Sequence, residues 1–168
     1  YEFQSEKQSF WKGVNFHWND PQNWCGNTVP TAGTNVLIPN TATVFPTIED
    51  AREVNKIKLE SGTSLTLTSA GQLTINNTYS NSGSNITNNG TWIMAGSAAS
   101  QTFPGTAATV GAMNNLEIKN ASGIAFDKSF SITGTLMPTT GNINVNNNIA
   151  VTLKSSATAT ASVAAIQP

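Results

Sequence analysis

Short alternating strand patterns recur along this chain at intervals of roughly 20 residues, and this recurrence limits the possible folds more than any other feature. The segment KIKLESGTSLTLTSAGQLTINN, which begins at Lys56, aligns with TYSNSGSNITNNGTWIM, which begins at Thr78. A further strand pattern, NNLEIKN, begins at Asn114. Three short strands and three tight turns account for about one coil of a parallel β-helix. The spacing therefore predicts a solenoid in which each coil stacks on the one before.

The strands themselves alternate between apolar and polar residues. In SLTLTS, Leu65 and Leu67 point to one face of the strand and the threonines to the other. TWIMA places Trp92 and Met94 on one face and Ile93 on the opposite face. When such strands stack in register, their inward side chains form continuous apolar columns, and the Asn and Gly residues between strands supply the turns.

We predict an all-β fold, a right-handed parallel β-helix (β-solenoid) with a Trp-rich N-terminal cap. The cap spans residues 1–35, and the coils span residues 36–168 and continue beyond them. A β-sandwich is the alternative, because it also produces many short alternating strands. Two segments depart from the pattern: residues 49–57 could form a short helical turn, and residues 96–114 predict a looser coil or a protruding loop.

Composition excludes several classes of function. The net charge is −1, only 10% of residues are charged, and basic residues form no run, so we expect no nucleic-acid partner. No apolar run reaches transmembrane length, so we expect no membrane span. Asn, Thr and Ser supply roughly a third of the chain, well above ordinary globular usage. No charged side chain occurs between Ser61 and Leu116. Because acid–base catalysis needs clustered titratable groups, the sequence predicts no enzyme and no cofactor.

The few candidates for site chemistry lie near the N-terminus. His17 is the only histidine and Cys25 the only cysteine, so a Cys–His pair is conceivable, although a histidine in the cap and a small buried thiol explain them equally well. Asp20, Glu49 and Asp50, with Asn carbonyl groups, are candidate Ca²⁺ ligands, and solvated turns are the competing interpretation.

The stretch WNDPQNWCGNTVP, from Trp18 to Pro30, allows two roles for its aromatic rings. A solenoid needs its apolar end covered, and Trp11, Trp18, Trp24 and Pro30 could form that structural cap. Alternatively, Trp18, Trp24 and Trp92 could stack on sugar rings as a binding platform. Rings that cover a core cannot also be exposed, so the two roles exclude each other.

The N-terminal segment resembles a module found in many large secreted proteins of Bacteroidota. The shared pattern is W-x-G, W-x-x-x-x-N-W, a Gly-containing turn, V-P-T and a strand that ends in I-P. The matching residues are Trp11, Gly13, Trp18, Asn23, Trp24, Gly26, Val29, Pro30, Thr31, Val36, Ile38 and Pro39. The later segments GSAASQT, NNLEI and TGTL are similar to the repeat that commonly follows this module, in which a G-x-x-x-Q-T stretch leads into N-N-L-x-I and then T-G-T-L.

This resemblance implies an extracellular, adhesin-like β-helical segment exported by the type IX system, and it supplies no catalytic residue. We therefore expect a non-enzymatic structural or adhesive module of a bacterial surface or secreted protein. The alternatives are a carbohydrate-binding module that uses exposed tryptophans and a fragment of a polysaccharide-degrading β-helix enzyme. The expected partners are further coils of the same chain, with surface glycans or other cell-surface proteins as candidates.

Overall fold

The structure is a computed structural model of the 168-residue chain and describes residues 7–97, 99–105 and 107–164. Residues 1–6 of the predicted cap and residues 98, 106 and 165–168 of the predicted coils lie outside the described residues. The described chain is all-β and winds into about six stacked coils, so the predicted β-solenoid is confirmed.

Each coil contributes one strand or half-strand to each of three faces. Strand β1 (Gln8–Phe10) precedes the first complete coil. Coil 1 contains β2 (Asn35–Ile38), β3 (Thr47–Ile48) and β4 (Ala51–Val54). Coil 2 contains β5 (Lys56–Leu59), β6 (Ser64–Leu67) and β7 (Gln72–Ile75). Coil 3 contains β8 (Tyr79–Asn81) and β9 (Asn85–Gly96), and coil 4 contains β10 (Gln101–Phe103) and β11 (Thr109–Asn120). Coil 5 contains β12 (Ile124–Phe126), β13 (Phe130–Ile132) and β14 (Thr135–Thr140). Coil 6 contains β15 (Ile143–Val145), β16 (Val151–Leu153) and β17 (Ser162–Val163).

The three faces are parallel sheets. Face 1 consists of a four-stranded sheet, β1-β2-β5-β8, followed by a three-stranded sheet, β10-β12-β15. The long strands β9 and β11 each run across the corner between face 2 and face 3, and they join those two faces into one ten-stranded sheet. Every pairing between the described strands is parallel. A β-sandwich of this kind is built from antiparallel sheets, so the sandwich alternative is wrong.

Stacking aligns the inward side chains into columns that form the core. On face 3, Leu73 lies opposite Trp92, which lies opposite Leu116, and all three are fully buried. On face 2, the column is interrupted by one amide, since Asn88 pairs with Leu67 on one side and Met113 on the other.

Asn88 is buried, yet both ends of its amide have partners. Its Oδ1 accepts from the N–H of Gly90 (3.0 Å), and its Nδ2 donates to the carbonyl oxygen of Asn115 (3.0 Å). A buried amide with both ends bonded avoids the cost of an unpaired polar group. Asn88 therefore fixes the corner between face 2 and face 3 without weakening the core.

The predicted helical turn at residues 49–57 is wrong. These residues contain strand β4 and the start of β5, because β4 pairs along its length with β7. The stacking surface of the next coil decides their conformation over local preference. In residues 96–114, the looser coil is the alternative that occurs, since β11 pairs with β9 through register shifts and its partners Asn85 and Thr109 are 24 residues apart, against 21 for Asn35 and Lys56.

Candidate functional site

The N-terminal segment forms an incomplete coil that covers the apolar end of coil 1. Strand β1 pairs with β2 on face 1, and His17 forms a parallel bridge with Thr47 on face 2. Two short 3₁₀ turns, Pro21–Asn23 and Cys25–Asn27, close the segment.

Three tryptophans lie at the centre of this cap. The rings of Trp11 and Trp24 meet edge to face at 5.0 Å, and those of Trp18 and Trp24 at 4.7 Å. Trp24 Nε1 donates to the Trp18 carbonyl oxygen and Trp11 Nε1 to the Val44 carbonyl oxygen, each at 2.7 Å. All three rings are buried and belong to the same core cluster as the coils. Pro30 is also buried.

The prediction that Trp18, Trp24 and Trp92 stack on sugar rings is corrected by their burial, since none is more than 1% exposed. Trp92 points inward from β9 and contacts Tyr79 and Phe103 at ring distances of 5.6 and 5.7 Å. A glycan could reach any of these rings only if the core opened.

The predicted Ca²⁺ ligands are not brought together. Glu49 Oε2 lies 2.7 Å from His17 Nδ1, and Asp50 pairs with the guanidinium group of Arg52. Asp20 accepts hydrogen bonds from the Asn15 side chain (2.6 Å) and from the N–H of Gln22 (2.9 Å). Among the described residues, no group of three or more His, Cys, Asp or Glu side chains could hold a metal ion. The histidine ring bonds to Glu49 and not to Cys25, and the expected buried thiol is wrong because Cys25 is exposed.

Asp20 caps the first 3₁₀ turn, and the stability that this cap contributes should depend on pH. The hydrogen bond from Asn15, followed by that from the Gln22 N–H, lowers the pKa of Asp20 below its ordinary value of 3.8. A lowered folded pKa gives stability that is present above the unfolded pKa and lost as pH falls through the folded pKa. We expect Asp20→Asn to destabilise the protein at neutral pH, with a difference from wild type that shrinks between about pH 5 and pH 2. Urea unfolding across this range measures the difference, and a constant difference would contradict the role of the ionised carboxylate.

A concave surface on the outside of face 3 is one of the candidate sites in the described part of the chain. We call it the face 3 groove, and its volume is about 470 Å³. The side chains that shape it are Glu53, Asn76, Ile93, Ala95, Glu117 and Lys119. This volume lies within the range of about 300–1,000 Å³ that is usual for small-ligand sites.

The parallel register brings residues from four coils to the groove. Glu53 of β4 lies opposite Thr74 of β7, which lies opposite Ile93 of β9, which in turn lies opposite Glu117 of β11. The neighbouring outward column places Ala95 opposite Lys119. The sequence alone did not predict a site at these residues. The one local signal was Ile93, an apolar side chain on the outer face of an alternating strand.

A comparison with family models matches residues 10–102 to a domain of unknown function (DUF8693), which is more than half of the 168 residues. The chain belongs to the DUF8693 family. The DUF8693 match runs from the end of β1 through the Trp-rich cap and coils 1–3 into β10. It includes Glu53, Asn76, Ile93 and Ala95 of the groove, whereas Glu117 lies beyond it. Comparison with curated proteins gave no match, and comparison with solved structures gave none either.

Proposed function

We propose that this chain is a non-enzymatic structural and adhesive module of a bacterial cell-surface or secreted protein. The resemblance of the Trp-rich segment to secreted modules of Bacteroidota supports the extracellular location. The solenoid supports the structural role, because stacked coils with a shared core resist separation along the whole length of the stack. In the described residues, no helix has the length and apolar character needed to cross a bilayer.

The observation that carries this proposal is the exposure of apolar side chains on coil 6. Val145, Leu153 and Val163 continue the columns of Phe126, Ile132 and Leu136, one on each face. These three terminal side chains are 40–51% exposed, although they occupy core positions.

Large apolar side chains that stand in register on three faces form a complete template for another coil. The proposed partner of coil 6 is therefore a further β-coil of the same polypeptide. In such an arrangement the module is one segment of a longer solenoid, and mechanical load passes through the ladders of backbone hydrogen bonds.

The non-enzymatic part of the proposal is supported by the distribution of titratable groups. His17 shares a hydrogen bond with Glu49, and Arg52 pairs with Asp50, at the partly exposed surface of the cap and coil 1. The coil surfaces are covered mainly by Thr, Ser and Asn, which offer hydrogen bonds without acid–base chemistry at neutral pH.

Single-molecule stretching from the two chain ends tests the structural role. Paired strands in coils 1 and 2 are 21 residues apart, as for Asn35 and Lys56, so each coil should release about 7 nm of chain when it unfolds. We expect a series of such steps, because contacts connect mainly neighbouring coils.

Leu153→Ala provides the matched control for stretching. It should weaken only the step of coil 6, whereas Leu67→Ala, inside coil 2, should weaken the resistance of the inner coils. Extension at forces too low to resolve, or one undivided event, would contradict a load-bearing stack.

A further inference from the structure

The floor of the face 3 groove is apolar although it lies on the outside of the solenoid. Ile93 is 6% exposed and Ala95 is 8% exposed, values typical of a core. Both point away from the inward column of Trp92 and Met94 on the same strand. Longer polar side chains surround them, so the floor offers only a narrow accessible apolar strip at the bottom of a mostly polar concavity.

The walls of the groove carry hydrogen-bonding groups of both kinds. Glu53 Oε1 accepts from Asn76 Nδ2 (2.7 Å), and Glu117 Oε1 accepts from Thr139 Oγ1 (3.0 Å). These bonds hold the two carboxylates at opposite ends of the groove and occupy one oxygen of each. In the described part of the chain, the second oxygen of each carboxylate and the Lys119 ammonium group have no protein hydrogen bond. The groove thus presents free acceptors and a free donor beside its apolar floor.

The backbone of the groove floor has no unpaired strand edge to which a peptide could hydrogen-bond. Strand β9 is hydrogen-bonded to β7 on one side and to β11 on the other. An extended peptide binds a sheet by adding to a free edge, and the floor has no free edge. A ligand of this groove must therefore be recognised through side chains alone.

Charge narrows the class of ligand further. Two carboxylates, Glu53 and Glu117, oppose one ammonium group, Lys119, so an anionic ligand is repelled more than it is attracted. A neutral polyol suits these groups, because each hydroxyl both donates to a carboxylate and accepts from an ammonium or amide group. The C–H face of a sugar ring also packs on aliphatic side chains.

We propose that the face 3 groove binds a neutral oligosaccharide that lies along the solenoid axis. Its hydroxyl groups bond to Glu53, Glu117 and Lys119, and ring C–H groups touch only the small accessible parts of Ile93 and Ala95. Glu53 and Glu117 belong to coils 1 and 4, three coil spacings of about 4.8 Å apart, so the groove accommodates a segment about 14 Å long. This site does not depend on the load-bearing role, which the stretching experiment tests separately.

Methyl NMR of the whole chain with labelled isoleucine δ1 groups tests the site directly. The probes are cellohexaose, chitohexaose, maltohexaose and mannohexaose, with hexagalacturonate as the anionic comparison. We expect the Ile93 methyl signal to shift and saturate with at least one neutral probe at millimolar concentration. Ile75 and Ile118 point inward from the adjacent strands, and their signals should stay in place.

Two glutamine variants complete the test. Glu117→Gln should weaken the binding that shifts Ile93 by about tenfold or more, because hydrogen bonds to a charged group contribute more than neutral ones. Glu60→Gln removes a carboxylate that bonds the Asn40 N–H outside the groove, and it should leave affinity unchanged.

Three results would overturn the assignment of the groove. The first is an Ile93 signal that no neutral probe moves. The second is tighter binding of hexagalacturonate than of every neutral probe. The third is equal loss of affinity in the Glu117 and Glu60 variants.

Discussion

Replacing Trp24 by alanine is expected to lower the free energy of unfolding by about 3–5 kcal/mol. Trp24 has no exposed surface, and its ring contacts both Trp11 and Trp18. The substitution leaves a cavity between these rings, removes the hydrogen bond to the Trp18 carbonyl oxygen and loosens the cover over coil 1. Urea unfolding followed by far-ultraviolet circular dichroism measures the change, since the midpoint and slope of the transition give the free energy whatever the size of the signal.

Phe16→Ala is the matched control for the cap. Phe16 belongs to the same segment but is 48% exposed, so its removal should change stability by no more than about 0.5 kcal/mol. If both variants lose equally little stability, the tryptophan cluster does not close the core, and the cap has to be reconsidered.

Gly90→Ala is expected to destabilise the protein by about 2–3 kcal/mol or more through a clash between coils. A Cβ at Gly90 would lie 2.0 Å from the Gly71 carbonyl oxygen and 2.4 Å from the Thr68 carbonyl oxygen. Both contacts are with backbone of the preceding coil, so no side chain can rotate away. Coils 2 and 3 would have to separate at the corner between face 2 and face 3, where the Thr91 N–H bonds to the Gly71 carbonyl oxygen (2.9 Å).

Gly111→Ala separates this clash from a general effect of losing glycine. Gly111 also lies in a long strand that crosses a corner, but a Cβ there meets no atom within 4 Å. Its substitution should be nearly neutral or slightly stabilising, because alanine restricts the unfolded chain. Thermal unfolding of both variants decides the matter, and similar shifts in Tm would contradict close packing between coils 2 and 3.

The solenoid could be predicted from the sequence because its short alternating strand pattern is visible within each coil and recurs from coil to coil. The alternation of Leu65 and Leu67 and the offset of about 20 residues specify strands and stacking together. The error at residues 49–57 has the opposite cause. Ala51, Arg52 and Glu53 suit a helix locally, but only the paired strand β7 in the next coil makes them a strand. The right-handed sense of the coil stays a prediction.

The candidate site was harder to predict for two physical reasons. The rings of Trp18 and Trp24 suit a cap or a platform equally well in sequence, and only packing shows that they are buried. The groove joins Glu53 to Glu117, which are distant in sequence and meet through the register of three intervening pairings. A single bulge in β11, such as that between Val110 and Met113, changes which residues share a column, so composition alone cannot assign them.

The two ends of the stack differ, and this difference gives the protein a direction of assembly. Synthesis delivers the N-terminal segment first, so the closed end is available before any coil that rests on it. Each finished coil then offers the next one the same three rows of apolar side chains that coil 6 leaves uncovered. A coil added or removed on the side of the stack away from the cap would therefore leave the contacts between the cap and coil 1 unchanged.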